Sequence, residues 1–271
     1  MKTSIKSQKK VGLALGSGVF RGFAHIGVLK ALKKHNIPID YLSGSSIGAW
    51  AAAHYAIFCD VEKLEKDFAA RPAGNLKPLL EVSLTGGFIA GRKLSEYLKS
   101  KLGRKSFSSL KIPLQITATD LISGQPFVFK RGDIATAVLA SLSVPLVFKP
   151  VKYQDKLLVD GGLSDPVPGD LVRQAGVDIV IGVNLYNKNE FIAKKFTMSR
   201  AALRGTRIVM HNLAKNAVKS ADIVVEPDCS EFIKTRDFKK YLNAATAERL
   251  IEVGERAMLK EMPELKRLLA A

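Results

Sequence analysis

The chain has 271 residues, of which 47% are hydrophobic, and its formal net charge is +17 at pH 7. This length allows one large α/β domain or two small domains, and two cysteines, Cys59 and Cys229, are too few for a disulfide framework. The charge favours an anionic partner, and the absence of a nucleic-acid-reading motif makes a membrane surface a better candidate than nucleic acid.

Residues 1–10 contain four lysines and no acidic residue. They resemble the start of a signal peptide, but the apolar run Val11–Leu15 is short and is followed by Gly16 and Gly18. We therefore expect a basic, disordered leader and then a single domain over residues 11–271. The longest apolar run, Ile47–Cys59, is too short to span a bilayer, which predicts a soluble or peripheral protein of the cytoplasm.

Apolar patterns and turn residues predict strands and helices that alternate along the whole chain. The predicted strands are Val11–Leu15, Ile39–Ser43, Leu114–Thr119, Phe127–Phe129, Val151–Tyr153, Leu157–Val159, Val177–Val183 and Ile223–Val225. The predicted helices are Phe23–Lys34, Ile47–Cys59, Val61–Ala70, Arg92–Leu102, Ile134–Ser141, Pro166–Gln174, most of Asn189–Ser220, and Asn243–Leu268 with a break at Pro263. This alternation predicts an α/β fold around a mainly parallel sheet. Arg71–Gly91 is predicted as an irregular connection, with a mobile cover over an acyl site as the alternative.

A glycine-rich loop, Gly16–Gly22, joins the first predicted strand to the first helix. Such a loop presents backbone N–H groups to an anion, which suits either a bound phosphate or an oxyanion hole. The dinucleotide fingerprint needs a glycine where Arg21 stands, and its ribose partner, Asp40, precedes a strand instead of ending one. We favour the oxyanion hole.

Gly44-x-Ser46-x-Gly48 stands between the second predicted strand and an Ala-rich helix. A serine on such a turn points off the end of the sheet near a helix N-terminus, as a nucleophile must. The alternative is a glycine-rich turn capped by a serine, and the pentapeptide alone does not decide between the two.

A serine nucleophile needs a general base. None of the four histidines follows a strand end late in the chain, where the usual Ser–Asp–His hydrolase order places the base. Asp160 does close a strand, and Gly161-Gly162 behind it allow a free turn. It could take the serine proton directly, although an ordinary Asp-Gly turn has the same pattern.

Six stretches, in this order, together resemble the patatin-like phospholipase family: Leu13–Leu32, Gly44–Ala49, Gly86–Leu94, Ala118–Gly124, Ala140–Phe148 and Val159–Pro168. The resemblance implies a three-layer α/β sandwich and an acyl hydrolase with a Ser–Asp dyad and no metal or organic cofactor. In this chain Ser46 matches the nucleophile and Asp160 the base. The matching oxyanion-hole residues are Ser17, Gly18 and Val19, and the supporting motif residues are Gly16, Arg21, Gly22, Gly44, Gly48, Gly161 and Gly162.

Two departures from the family pattern bear on activity. The family loop is usually G-G-G-x-R-G, and here Ser17 and Val19 replace its outer glycines. Because a β-branched residue resists a positive φ, Val19 would weaken the oxyanion hole if the loop needs that geometry. Asp165 stands where the family commonly has an asparagine, and a carboxylate close to Asp160 would raise the pKa of Asp160.

The resemblance implies a lipid acyl hydrolase (a phospholipase A, lysophospholipase or esterase) acting on a phospholipid or other lipid ester. The basic leader and Lys188–Lys219, with eight basic residues and the acidic Glu190, would attract an anionic membrane surface. The alternatives are a catalytically weak patatin-like protein that binds a lipid or a partner protein, and a nucleotide-binding protein that uses Gly16–Gly22.

Overall fold

The structure is a computed structural model that describes residues 9–69, 88–145, 147–186, 198–233 and 244–271. The predicted leader is therefore described only at Lys9 and Lys10. The predicted connection Arg71–Gly91 lies outside the described residues as far as residue 87, and the basic segment Lys188–Lys219 does so as far as residue 197.

The strands and helices have the following bounds. The strands are β1 Val11–Leu15, β2 Tyr41–Ser45, β3 Leu114–Asp120, β4 Pro126–Phe129, β5 Val151–Tyr153, β6 Lys156–Val159, β7 Ile179–Val183 and β8 Ile223–Val225. The α-helices are α1 Phe23–Lys34, α2 Ile47–Phe58, α3 Val61–Ala69, α4 Phe88–Leu102, α5 Ile134–Ser141, α6 Gly169–Gln174, α7 Met198–Ala217 and α8 Ala244–Ala270. Among these helices, none has the length and hydropathy needed to cross a bilayer.

In the described part of the chain the eight strands form one sheet in the order β5-β6-β3-β2-β1-β7-β8, with β4 also paired to β3. The pairs β1–β2, β1–β7, β2–β3 and β7–β8 are parallel, whereas β3–β4, β3–β6 and β5–β6 are antiparallel. The predicted mainly parallel sheet is confirmed. The carboxyl ends of β1, β2 and β3 consequently lie at one edge of the sheet.

Helices cover both faces of this sheet. Successive residues of β1 point to opposite faces, so that Leu13 and Leu15 belong to one apolar core and Ala14 to another. Helix α1 contributes Leu29 to the first core, and α6 contributes Val172 to the second. The chain is therefore an α/β sandwich of three layers.

Helices α1 and α8 pack closely where they cross, and a glycine of each helix lies at the crossing. A Cβ on Gly27 would lie 1.9 Å from the Ile251 carbonyl oxygen, and one on Gly254 would lie 1.9 Å from that of Ala24. The predicted break at Pro263 is wrong, since α8 continues through it. Proline removes only one N–H, and the buried Met262 and Leu265 on either side keep this part of the helix packed on the core.

Two local differences concern the candidate site. Strand β2 runs two residues later than predicted, over Tyr41–Ser45, because its parallel pairing with β1 begins at Gly12 and Tyr41. The segment Val19–Gly22, predicted as loop, forms a 3-10 helix. Ser46 therefore follows β2 directly, and a short helical turn follows Gly18.

Candidate active site

Strands β2 and β6 both pair with β3 and run towards each other, so that their last residues lie close together. Thr117 pairs with both Ser45 and Val128, so β2 and β4 lie on opposite edges of β3. Thr119 pairs with both Val159 and Pro126, which places β6 on the same edge as β2. The last residues of β2 and β6 are thus two positions apart on β3, and the residue after each is brought to one place.

Those two residues are Ser46 and Asp160, and they are hydrogen-bonded. The Ser46 hydroxyl donates to Asp160 Oδ2 at 2.6 Å, and the Gly162 N–H donates to Asp160 Oδ1 at 2.8 Å. Ser46 is 4% exposed and Asp160 is 6% exposed. Both carboxylate oxygens therefore have a donor, and the serine hydroxyl points at a buried carboxylate.

Ser46 sits on a strained turn. Its backbone has φ 54° and ψ −123°, a combination that a residue with a Cβ rarely adopts. A Cβ on Gly44 would lie 2.6 Å from the Ala49 Cα, and one on Gly48 would lie 2.0 Å from the Leu15 carbonyl oxygen. The two glycines therefore let strand, turn and helix approach closely, as the Gly44-x-Ser46-x-Gly48 pattern predicts.

Two further serines hold the pair in place, and sequence reasoning assigned them no role. The Ser46 N–H donates to Ser141 Oγ at 2.7 Å, and this hydroxyl donates to the Thr117 carbonyl at 2.6 Å. The Asp160 N–H donates to the Ser143 carbonyl at 2.9 Å. Both serines lie in Ala140–Phe148, a stretch that carries part of the family resemblance, so the signal for them was present in the sequence.

Burial controls the ionisation of Asp160. It raises the pKa of this carboxyl from 3.8 to about 6, although the hydrogen bonds from Ser46 and Gly162 act in the opposite direction. The charge of Asp165 is not among the causes of this shift. The pKa of Asp165 itself is raised to about 6, first by burial and then by the charge of Asp170.

The glycine-rich segment offers two backbone donors. The Gly16 N–H donates to the Val183 carbonyl at 3.1 Å, and the Ser17 N–H donates to the Pro166 carbonyl at 2.8 Å. The N–H groups of Gly18 and Val19 have no acceptor in the part of the chain that the structure describes. Of the three residues predicted for the oxyanion hole, Ser17 therefore has an amide that is already bonded, and Gly18 and Val19 remain candidates.

Val19 adopts the positive φ that is unfavourable for a β-branched residue. Its φ is 54°, and its side chain is 50% exposed. Arg21 holds the peptide that joins Gly18 to Val19, since its Nε donates to the Gly18 carbonyl at 2.9 Å while Nη1 donates to the Leu185 carbonyl at 2.7 Å. A cation on the Gly18 oxygen polarises this peptide and strengthens the Val19 N–H as a donor.

The glycine-rich segment also touches the turn after Asp160. A Cβ on Gly162 would lie 2.6 Å from Ser17 Oγ and 3.0 Å from Asp160 Oδ1. Ser17 Oγ is buried and has no hydrogen-bond partner among the described atoms. The structure thus brings the predicted nucleophile, base and glycine-rich segment together at one sheet edge.

A family model described as patatin-like phospholipase matches residues 13–172, which is more than half of the chain. The chain belongs to the patatin-like phospholipase family.

Two curated relatives and one solved structure are similar to this chain. An uncharacterised NTE-family protein of Mycobacterium tuberculosis is 34% identical over 182 residues, which cover 66% of this chain and 50% of that protein. Lysophospholipase NTE1 of Pyricularia oryzae is 28% identical over 192 residues, 69% of this chain and 13% of that protein. The chain thus spans half or less of these relatives. VipD from Legionella pneumophila shares the fold, with a TM-score of 0.59, 12% identity and coverage of 97% of this chain and 67% of that one.

Three of the four histidines of this patatin-like protein make other contacts. His25 Nε2 lies 2.7 Å from the Gly16 carbonyl, and burial lowers the pKa of His25 to about 4, so the neutral ring donates this bond and supports the glycine-rich segment. His54 Nε2 pairs with Asp67 Oδ2 at 2.9 Å. His211 Nδ1 lies 3.0 Å from the Tyr186 carbonyl. The Ser46 hydroxyl donates to Asp160, and none of these three histidines takes part in that hydrogen bond.

Asp40 argues against nucleotide binding. Its carboxylate accepts a hydrogen bond from the Val11 N–H at 2.7 Å, at the start of β1. A ribose partner is needed at the carboxyl ends of the strands, which is the opposite end of the sheet.

Within the described ranges no three His, Cys, Asp or Glu side chains are grouped as a metal site requires.

Proposed function

We propose that this protein hydrolyses carboxylic esters of lipids through a Ser46–Asp160 dyad and an acyl-enzyme intermediate. The observation that carries the proposal is the 2.6 Å hydrogen bond from the Ser46 hydroxyl to a buried carboxylate, made from a strained strand-to-helix turn. A nucleophile in hydrogen-bond reach of its base is the geometry that covalent catalysis requires.

In the first half of the reaction Ser46 Oγ attacks the ester carbonyl carbon and its proton passes to Asp160 Oδ2. The negative charge moves to the carbonyl oxygen, which accepts hydrogen bonds from the N–H groups of Gly18 and Val19. The tetrahedral intermediate collapses, and the departing alkoxide takes the proton from Asp160. An acyl ester on Ser46 and a free alcohol remain.

In the second half a water molecule attacks the acyl-enzyme and gives its proton to Asp160. The same two N–H groups hold the second oxyanion. Collapse breaks the bond to Ser46 Oγ, which recovers its proton from Asp160, and the fatty acid leaves. Because both dyad residues are buried, the developing charges are stabilised by fixed donors in a site of low dielectric constant.

We propose a phospholipid or lysophospholipid as the substrate class. The family carries the name phospholipase, and the related protein of Pyricularia oryzae is named a lysophospholipase. Such substrates lie in bilayers or micelles, so we also propose that the protein works in the cytoplasm at a membrane surface.

The pH dependence of a soluble substrate tests the dyad. Asp160 accepts a proton only when it is ionised, and burial raises its pKa to about 6. We therefore expect kcat/KM for a short-chain aryl ester to be flat above about pH 7 and to fall about tenfold per pH unit below about pH 6. Circular dichroism at each pH controls for unfolding. A rate that stays constant down to about pH 4.5 in folded protein would contradict Asp160 as the base.

Val19 motivates the second candidate, a catalytically weak binding protein, because a β-branched residue holds φ 54° beside the oxyanion site. A serine-directed fluorophosphonate should nevertheless label Ser46 in folded wild type. Val19→Gly relieves the backbone strain and keeps the N–H, so we expect labelling at least as fast as in wild type. Val19→Pro removes the N–H and forbids a positive φ, which should slow labelling about 100-fold or more.

These outcomes separate the two candidates. Failure of folded wild type to label at Ser46 would favour the binding protein. A wild type that labels very slowly and a Val19→Gly variant that labels much faster would favour it too. Equal labelling of wild type and Val19→Pro would remove Val19 from the oxyanion hole and leave the dyad untouched.

A further inference from the structure

Most of the exposed large apolar side chains lie near the end of the sheet where β1, β2 and β3 finish. In the described part of the chain seven such residues are exposed, and five of them follow or adjoin the strands that end at the candidate site: Val19, Leu121, Ile122, Leu157 and Leu163. The other two, Ile208 and Val209, are on α7. Single apolar residues scattered over a surface are normal, whereas a cluster at one edge marks an interaction surface.

Three of the five form a connected tip beyond the end of β3. The Leu121 N–H donates to the Leu157 carbonyl at 2.7 Å, so these two residues are neighbours. Ile122 is 79% exposed at the next position. We call Leu121, Ile122 and Leu157 the apolar tip.

The turn that carries the apolar tip is well anchored. The Asp120 carboxylate accepts hydrogen bonds from Ser123 Oγ at 2.8 Å and from Lys156 Nζ at 3.0 Å. The Gly124 N–H also donates to the Asp120 carbonyl at 2.8 Å. The exposure of Ile122 is therefore a property of an ordered turn.

The apolar tip is joined to the candidate active site through Thr119. The Thr119 hydroxyl donates to the Asp160 carbonyl at 2.8 Å and lies 2.8 Å from Ser164 Oγ. Leu163 belongs to the turn between Asp160 and Ser164, and Val19 belongs to the glycine-rich segment. A surface that lies on the tip would therefore also meet the rim of the Ser46 site.

The charge beside the apolar tip suits an anionic lipid surface. Lys152 is exposed and pairs directly across the strands with Leu157, so both side chains stand on the same side of the β5–β6 hairpin. An apolar tip flanked by a flexible cation fits the boundary between head groups and acyl chains, and the net charge of +17 adds long-range attraction.

We propose that the apolar tip inserts into a phospholipid bilayer that contains anionic lipid, with Lys152 at the head-group level and the Ser46 site facing the surface. The proposal rests on the proposed function for its choice of a lipid surface, but docking itself requires no hydrolysis. It adds a surface distinct from the basic leader and Lys188–Lys219, which sequence reasoning had selected for membrane contact.

Vesicle co-sedimentation tests the proposal in a Ser46→Ala background, where the lipid stays intact. The probe is a vesicle of phosphatidylcholine and phosphatidylglycerol. Leu121→Ser with Ile122→Ser should lower partitioning about tenfold or more, because two apolar side chains no longer enter the bilayer. The matched control, Ile208→Ser with Val209→Ser, removes the same kind of apolar surface from α7 but keeps every basic residue of Lys188–Lys219, so the attraction to anionic lipid remains and partitioning should change less than about twofold. Equal binding of tip variant and parent, or an equal loss in the α7 variant, would overturn the proposal.

A fluorescent variant gives a second readout that does not depend on losing binding. The chain has one tryptophan, Trp50, which is buried. Ile122→Trp should therefore show a new emission that vesicles with brominated acyl chains quench. If the vesicle-bound variant kept the emission of the introduced indole unquenched, a different surface would be docking, and the proposal would be overturned.

A soluble ester separates this proposal from the proposed function. The tip variant should hydrolyse a short-chain aryl ester at the wild-type rate, since none of its substitutions touches Ser46, Asp160 or the oxyanion donors. If wild type binds vesicles through the tip but hydrolyses no ester, the function fails and the docking surface stands. If wild type hydrolyses the ester but ignores vesicles, the docking surface fails and the function stands.

Discussion

Asp160→Asn is expected to lower kcat for a soluble ester by about three orders of magnitude or more while leaving the protein folded. The amide keeps the shape of the carboxyl group and can still accept the Gly162 N–H, but it cannot take a proton from Ser46. Ser46→Ala should cost at least as much, because it removes the atom that attacks. When catalytic residues act as a unit, removing one of them abolishes nearly all of the rate enhancement that they supply together. The double variant should therefore be no slower than either single variant.

The two substitutions have matched controls only a few residues away. Asp165 is also a carboxyl group whose pKa burial raises to about 6, but the Ser46 hydroxyl donates its hydrogen bond to Asp160. Ser45 is a fully buried serine next to the nucleophile, and its hydroxyl has no partner among the described atoms. Asp165→Asn and Ser45→Ala should keep kcat within about threefold of wild type.

Stability gives Asp160→Asn a second, independent signature. A carboxyl whose pKa is raised by folding binds its proton more tightly in the folded state, so this group makes wild type more stable as pH falls from about 6 towards its ordinary value of 3.8. At pH 7 the buried charge opposes folding, and asparagine removes it. Thermal melts at pH 7 should show Asp160→Asn unfolding at the same or a higher temperature than wild type.

A variant that loses activity and stability together would point instead to a structural role for Asp160. Full activity of folded Asp160→Asn, measured by initial rates on the aryl ester and normalised by active-site titration, would contradict the dyad outright. The same titration shows whether Ser46 still reacts when its base is gone.

The sequence predicted Ser46 and Asp160 separately because each has a local signal, a glycine-flanked serine after a strand and an aspartate before two glycines. Their contact depends on the registers of β2 and β6 along β3, which bring together residues 114 positions apart. No local pattern encodes such a register, so the strand-end argument could offer Asp160 as a partner of the serine only beside an ordinary Asp-Gly turn, and the family resemblance favoured the pair. The hydrogen bonds from the Ser46 N–H to Ser141 Oγ and from the Asp160 N–H to the Ser143 carbonyl were missed for the same reason, since each joins different elements of the fold.

For the glycine-rich segment Gly16–Gly22, the sequence predicted the position of the loop but not the hydrogen bonds of its amides. The motif marked Gly16–Gly22 as a loop near Ser46, and the structure places it there, yet the motif could not tell which amides were already hydrogen-bonded. Ser17 donates its amide to Pro166, far along the chain, and Arg21 reaches across to the Leu185 carbonyl. Long-range backbone contacts therefore decide which N–H groups remain for an oxyanion.

Gly48→Ala is expected to damage both the fold and the site. A Cβ there would lie 2.0 Å from the Leu15 carbonyl oxygen, at the end of β1 and directly before the glycine-rich segment. Since this atom is backbone, α2 must move away from β1 and carry Ser46 away from Gly18 and Val19. We expect a loss of about 2–4 kcal/mol in the free energy of unfolding and about a 100-fold drop in kcat. Urea unfolding and initial rates measure the two effects.

Two other glycines in helices distinguish distortion of the site from destabilisation of the protein. Gly205 in α7 has nothing within 4 Å of its added Cβ, so Gly205→Ala should stabilise the protein by about 0.5–1 kcal/mol and leave kcat unchanged. Gly254→Ala clashes with the Ala24 carbonyl, at the α1–α8 crossing, and should destabilise the fold without lowering kcat per folded molecule. If Gly48→Ala behaved like Gly254→Ala, the close contact of α2 with β1 would serve packing alone. A drop in kcat unique to Gly48→Ala would show that this contact sets the distance between the nucleophile and its oxyanion donors.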